Sequence, residues 1–122
     1  MPAPNVLSLA SLTQVLLVSQ QIATATETTV YTVPANQAVK LAQGSLCNVS
    51  GSAVIVSLSL IPAGGTADGT HRVIAGYSLA VGDTLPLGDY LGGHMLGPGD
   101  FISILCGTAN AVDVVMSGAV SA

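Results

Sequence analysis

Residues 47–62 of the chain, CNVSGSAVIVSLSLIP, contain a turn followed by a strand pattern. Asn48–Ser52 is rich in turn-forming residues, because Asn and Gly tolerate left-handed backbone angles and serine hydroxyls bond nearby amides. From Val54 to Leu60 apolar residues alternate with others over most of the stretch, as in a strand with one buried face. The sequence therefore predicts a central β-hairpin of residues 38–49 and 52–61, with a face that other strands must cover.

The amino-terminal residues are apolar but do not resemble a secretion signal. No basic residue precedes the apolar stretch, and no apolar run reaches the roughly 18 residues that span a bilayer. We predict an extended arm over residues 1–12, where Pro2 and Pro4 resist helix and sheet. Residues 13–20 are predicted to form a first strand, with an amphipathic helix over 7–21 as the alternative. Three β-branched residues favour the strand.

Turn signals divide the rest of the chain into short strands. Besides the hairpin, strands are predicted at 23–34, 72–79, 84–87, 101–106 and 111–120, and loops or turns at 62–69, 80–83, 88–99 and 107–110. Tyr90 and Leu91 are expected to point inward, and no stretch after residue 22 keeps a helical apolar period. The pattern predicts an all-β fold, an antiparallel β-sandwich or jelly-roll-like barrel. Residues 23–122 form this domain, and residues 1–22 form the extended N-terminal arm and first strand.

The composition is unusual for a protein exposed to water. Half of the residues are hydrophobic, only 7% are charged and only 3% are aromatic, whereas a typical soluble domain has about a quarter of its residues charged. A monomer would expose mainly Ser, Thr, Ala and Gly. Such a surface is easier to explain if much of it faces other subunits, so we expect a homo-oligomer.

The charge balance argues against two classes of partner. The net charge is −4, and Lys40 and Arg72 are the only strong bases. Nucleic acid binding requires clustered Lys and Arg to neutralise phosphates, and attachment to anionic lipid requires the same. We therefore expect neither a nucleic acid nor a membrane partner.

No residues form a recognisable catalytic or metal motif. His71 and His94 are the only histidines and lack a partner at metal-ligand spacing. We expect His94 to be a loop residue at an oligomer interface and His71 to begin a strand. Glu27 has no obvious acid or base partner, and no Gly-x-Ser-x-Gly elbow is present.

The acidic residues indicate turns rather than a ligand set. The five aspartates are scattered along the chain. Asp68, Asp83, Asp89 and Asp100 adjoin a glycine, and Asp113 does not. They lack the ligand spacing of a calcium-binding loop. A calcium site built from several loops is the alternative. We predict no enzyme activity, no cofactor, and no catalytic, cofactor-binding or metal residues.

Four stretches carry a resemblance to a known group of proteins: TVYTVPAN (29–36), LCNVSGSAVIVSLSLIPAGG (46–65), HRVIAGYSLAVGDTLPL (71–87) and LGPGDFISILCGTANAVDVVMSG (96–118). Together they resemble small β-sandwich virion proteins of tailed bacteriophages. That group follows a pattern of Val-Tyr-Thr-Val-Pro, a strand ending in Cys-Asn-x-Ser-Gly, a Pro-x-Gly-Gly loop and a late Gly-Asp-Phe-Ile-Ser strand. The resemblance covers roughly residues 26–120.

The resemblance implies a structural virion protein. Members occur as capsid decoration proteins, head fibres or tail-associated modules. The expectation is a decoration (minor capsid) protein that binds the phage major capsid protein on the outer surface of the shell, in particles assembled in the bacterial cytoplasm. Symmetric positions on such shells favour a trimer over a dimer. The alternative is a tail-tip or fibre module that binds a host surface glycan, against which the scarcity of aromatics counts: Tyr31, Tyr77, Tyr90 and Phe101.

Three further expectations follow from the resemblance. A reducing cytoplasm favours free thiols at Cys47 and Cys106 over a disulfide. The sequon Asn48-Val49-Ser50 is expected to be unmodified, since its turn role already explains it. The arm lies outside the resemblance, and we expect residues 1–20 to attach the protein to a neighbouring subunit. For 13–20 the alternative is a core strand of the same subunit.

Overall fold

Nine β-strands and one short helix form the regular structure of residues 13–121, the part of the chain that the computed structural model describes. The strands are β1 Thr13–Gln21, β2 Thr28–Thr32, β3 Ala38–Asn48, β4 Val54–Ile61, β5 Arg72–Leu79, β6 Thr84–Pro86, β7 Met95–Leu96, β8 Phe101–Cys106 and β9 Val112–Ser121. The helix, α1, spans Gly88–Leu91.

The strands form two antiparallel sheets. Sheet A has the order β1–β9–β3, and the short strands β6 and β7 both pair with β3 on its other edge. Sheet B has the order β2–β8–β4–β5. The inward side chains of the two sheets pack against each other in one apolar cluster. The predicted all-β sandwich is thereby confirmed.

The core is built from alternate residues of the long strands. Fully buried side chains from sheet A face those from sheet B, among them Leu41, Leu46, Val114 and Met116 on one side and Val56, Leu58, Ile102 and Ile104 on the other. Burying a side chain of this size contributes about 1.5–3 kcal/mol. On β9 the alternate residues Val112, Val114 and Met116 are all buried, so they share the inward face.

The predicted hairpin of residues 38–49 and 52–61 is wrong. β3 pairs only with strands of sheet A and β4 only with strands of sheet B among the described residues. The turn carries the chain from one sheet to the other because the Asn48 side chain is buried there. Its Nδ2 donates to the carbonyl oxygens of Ser52 at 2.9 Å and Leu79 at 3.0 Å, and its Oδ1 accepts from the Ser50 amide and hydroxyl.

The first strand is confirmed, and the helix over 7–21 is wrong for the residues described. β1 pairs with β9 in the same chain, so these residues belong to sheet A, with a bulge between Leu16 and Val18. Only Val18 of β1 is fully buried. The predicted arm over residues 1–12 lies outside the described residues.

Residues 88–99 were predicted to be a loop, but they include two short regular elements. Its first residues form α1, and β7 follows at Met95–Leu96. Leu91 is buried as expected, but Tyr90 is exposed, contrary to prediction. Successive helical residues point about 100° apart, so a helix that buries Leu91 against β3 turns Tyr90 outward.

Candidate interaction surface

The outward side of sheet A is open to solvent along its whole width. The strand registers place one set of side chains on this side, which we call outer face A: Gln14, Leu16, Ser19, Gln21, Lys40, Gln43, Ser45, Cys47, Thr84, Pro86, Met95, Asp113, Val115, Ser117 and Ala119. None of these side chains is buried. No other described segment therefore covers outer face A.

Outer face A carries very little charge. Lys40 and Asp113 are its only ionisable residues besides Cys47, and Asp113 accepts a hydrogen bond from Gln21 Nε2 at 3.0 Å. Three large apolar side chains project from it: Met95 at 71% exposed, Leu16 at 62% and Val115 at 40%. Depletion of charge is a feature of the central part of protein interfaces, so this composition suits contact with another protein.

A groove of about 700 Å³ lies across part of outer face A. Its walls come from β1, β3, β9 and the Gly92–Gly93 segment, and include the side chains of Gln14, Leu16, Lys40 and Gln43. Bulges interrupt β1 near Leu17 and β3 near Ala42. The groove offers neutral amides, one ammonium group and apolar surface, a set that can contact a peptide backbone but performs no chemistry by itself.

One glycine permits the close strand approach beside this groove. Gly118 of β9 lies opposite Leu41 of β3. A Cβ atom at this position would collide with the Lys40 carbonyl oxygen and would also press on Leu17 Cδ1 at 3.2 Å. The absence of a side chain thus lets β1, β9 and β3 lie together around the bulges.

Part of the outward side of sheet B is closed by its own polar residues, while Ile55 on β4 stays 50% exposed there. Ser59 on β4 and Ser103 on β8 lie opposite each other and are both buried. Arg72 Nη1 donates to Ser59 Oγ at 2.9 Å, and Ser103 Oγ donates to Glu27 Oε2 at 2.6 Å. Arg72 Nη2 lies 2.6 Å from Glu27 Oε1, so the ion pair closes the network above the two serines.

The Glu27 carboxylate is held in its charged form. Burial raises its pKa, but the close contact with the Arg72 guanidinium, the hydrogen bond from Ser103 and the positive charge of Arg72 outweigh that effect, so the pKa lies below the ordinary 4.5. Oε1 is buried and accepts no hydrogen bond of ordinary geometry, so its contact with Arg72 is mainly that of two opposite charges. Removing Arg72 would leave this charge without compensation.

The histidines and aspartates singled out from the sequence do not come together. Within residues 13–121 no group of three or more His, Cys, Asp and Glu side chains is placed to hold a metal ion. His94 is exposed in the turn before β7, and His71 immediately precedes β5, as expected. The backbone carbonyl of His71 accepts a hydrogen bond from the Leu60 amide.

Two aspartates act in turns. Asp68 Oδ1 accepts from the Thr70 hydroxyl and amide, and these bonds lower the pKa of this exposed carboxyl. Asp100 ties two loops together, since its carboxylate accepts the Ala63 amide at 2.9 Å and the Gly97 amide at 2.8 Å. These contacts fit the turn role predicted for Asp beside Gly.

The two cysteines are free thiols, as predicted. Cys47 is half-buried on outer face A, opposite Asp113, whereas Cys106 is buried in sheet B. Burial raises the pKa of the Cys106 thiol to about 11. Cys106 is therefore uncharged and inert at neutral pH.

The sequence offered only a weak signal for the Glu27–Arg72 ion pair on sheet B and for the open outer face A. Glu27 is the lone glutamate and Arg72 one of two strong bases, but nothing local indicates that residues 45 positions apart would pair across a sheet. Outer face A follows only once the order β1–β9–β3 is known. Composition predicts buried interfaces in general and not which face forms them.

None of the helices in the described part of the chain is long and apolar enough to cross a membrane. Comparisons with protein-family models, curated proteins and solved structures find no match to this chain.

Proposed function

We propose that this protein is a structural virion protein of a tailed bacteriophage, a capsid decoration protein that binds the major capsid protein on the outside of the shell. The observation that carries the proposal is outer face A, a broad sheet surface with almost no charge and no cover from the described residues. The sequence resemblance supplies the class of particle. The protein acts as a homo-oligomer and without catalysis.

The proposed action is mechanical. A stable interface of standard size buries about 800 Å² on each partner. Apolar area removed from water contributes about 25 cal/mol per Å² before the costs of association are subtracted. Leu16 and Val115 supply apolar contact on outer face A, while Gln14 and Gln43 offer amides to a neighbouring backbone. Each bound copy lowers the free energy of the assembled shell relative to its separated subunits.

Substitutions that introduce charge on outer face A test whether this face binds the particle. We expect the double substitution Leu16→Glu and Val115→Lys, which keeps the net charge, to weaken binding to purified particles lacking this protein by about tenfold or more, because charges would be desolvated in the interface. Binding is measured by co-sedimentation over a range of protein concentrations.

A matched control uses equally exposed apolar residues away from outer face A. Ile55 is 50% exposed and Val81 56% exposed, so Ile55→Glu with Val81→Lys makes the same chemical change elsewhere. The control variant should bind as the unmodified protein does. Unchanged binding by the first variant, or an equal loss in both, would contradict the proposed surface.

The glycan-binding alternative predicts a different result. Of the tyrosines, Tyr77 is 41% and Tyr90 38% exposed, whereas Tyr31 packs against the core and burial raises its pKa. Sugar binding by stacking would require exposed aromatic rings. If Tyr77→Ala or Tyr90→Ala abolished adsorption to host cells while particle binding stayed intact, the alternative function would replace the proposed one.

A further inference from the structure

The four edges of the two sheets differ in how well they are protected against pairing with another strand. Exposed edges are commonly blunted by short length, proline, charge or bulges. The β6 and β7 edge is made of strands of three and two residues and contains Pro86. In sheet B, β2 is five residues long and follows Glu27, and β5 begins at Arg72 and is interrupted at Gly76, where φ is 65°.

The β1 edge has much weaker protection. It is nine residues long, TQVLLVSQQ, with no charged residue, no proline and no glycine. Its one irregularity is the bulge between Leu16 and Val18. Among residues 13–121 no strand pairs with the edge of β1 that faces away from β9. With respect to the described residues, its outward-facing backbone groups are therefore unpaired and can bind a further strand.

We propose that β1 pairs with β1 of a second copy of this chain, antiparallel about a two-fold axis, so that the two A sheets join into one continuous sheet. The proposal goes beyond the proposed function by naming the element that forms the homo-oligomer. It predicts a dimer, in contrast to the trimer expected from the resemblance.

The side-chain pattern of β1 is complementary to itself in one register. Pairing with β9 places Gln14, Leu16, Ser19 and Gln21 on outer face A, with Leu17 and Val18 both inward at the bulge. When Gln14 lies opposite Gln21 of the partner subunit, Leu16 lies opposite Ser19 of the partner subunit. Inward residues then meet inward residues, because Leu17 lies opposite the partner's Val18.

In this register outward side chains lie opposite outward ones, and inward side chains opposite inward ones, along the whole strand. The bulge does not disturb this match, because both strands carry it at the same residues. A shift by one residue would set outward side chains against inward ones along the whole strand. No like charges meet in the favoured register, because β1 has none. Outer face A would continue across the axis and present twice the surface to a partner.

The dimer is tested with the full purified chain, in the absence of particles, by light scattering and sedimentation. We expect a mass of two chains of 12.1 kDa. A monomer mass, including one caused by residues 1–12 occupying the β1 edge, overturns the proposal, and so does a trimer. Because no capsid is present, this experiment tests dimer formation alone. A negative result would therefore not bear on whether outer face A binds the particle.

Two charge variants test the register. Leu16→Lys with Ser19→Lys sets like charges opposite each other across the axis twice, and should raise the dimer dissociation constant about tenfold. Leu16→Lys with Ser19→Glu sets opposite charges there and should restore the dimer. Equal dissociation constants for the two variants would show that another surface forms the dimer and would overturn the proposal.

Crosslinking provides a second measurement that does not rely on weakened binding. In the proposed register Gln14→Cys with Gln21→Cys places thiols opposite each other, within reach of a disulfide. Mild oxidation should give a covalent dimer, whereas Gln14→Cys alone, which also retains Cys47 and Cys106, should not. Failure of the double variant to crosslink while the protein is dimeric would overturn the register.

Discussion

The outward surfaces of the two sheets differ in whether their basic residue is paired. The chain has two strong bases, and one lies on each surface: Arg72 on sheet B and Lys40 on sheet A. Arg72 is only 18% exposed and is bound to Glu27 and Ser59, while Lys40 is exposed on the wall of a groove. The polar centre of the sheet B surface is completed within the chain, whereas no such network covers outer face A within residues 13–121. That difference is the reason for placing the proposed partner on outer face A.

The closed surface also explains an apparent anomaly. Serines on the outward side of a sheet are usually solvated, yet Ser59 and Ser103 are buried. Their hydroxyls are satisfied by the ion pair above them, so burial does not leave them without partners. Among the described residues outer face A has no equivalent network, so its amides and hydroxyls would need hydrogen-bond partners on a bound protein.

The largest effect should come from the residue that joins the two sheets. Asn48→Ala removes the donor to the Ser52 and Leu79 carbonyl oxygens and the acceptor of two Ser50 bonds, all near the buried end of β3. We expect it to lower the free energy of unfolding by about 3 kcal/mol, measured by urea denaturation.

A companion variant separates the donor from the acceptor. Asn48→Asp keeps the size of the side chain and the acceptor for Ser50, but places a carboxylate against carbonyl oxygens. It should be at least as destabilising as Asn48→Ala. Stability equal to that of the unmodified protein would show that the carbonyl contacts of Asn48 do not hold the two sheets together.

The comparison of surfaces is tested most directly by neutralising each base in turn. Arg72→Met leaves the largely buried Glu27 carboxylate unpaired and should lower the free energy of unfolding by about 2 kcal/mol, less than for a fully buried pair. Lys40→Met, the matched change on the exposed surface, should alter it by less than about 0.5 kcal/mol. Similar losses in urea denaturation for both variants would contradict the contrast.

The smallest of these effects is a dependence on pH. The pKa of Glu27 lies below its ordinary 4.5 in the folded protein. Glu27 therefore stabilises the fold above that value, and its contribution is lost as the pH falls from about 4.5 through the folded pKa. The difference in unfolding free energy between the unmodified protein and Glu27→Gln should be constant above about pH 5 and should shrink as the pH falls below it. A constant difference down to about pH 3 would mean that the carboxylate is not held by Arg72.

The positions of strands were predictable, but the partners of some were not. β5 and β8 occupy the predicted residues, because alternation of apolar side chains and flanking turns are local signals. The hairpin was mispredicted because the turn residues show only that the chain changes direction there. Whether two strands then pair depends on where Asn48 finds partners, and one of these, Leu79, lies 31 residues away.

The sequence by itself determined the class of fold, because alternation of apolar residues and turn chemistry act over a few residues. The tertiary structure decided which surface stays open. The pairing of Glu27 with Arg72 and the position of β1 at the edge of sheet A are set by strand order. Strand order results from the packing of residues far apart in the chain, so no local pattern contains it.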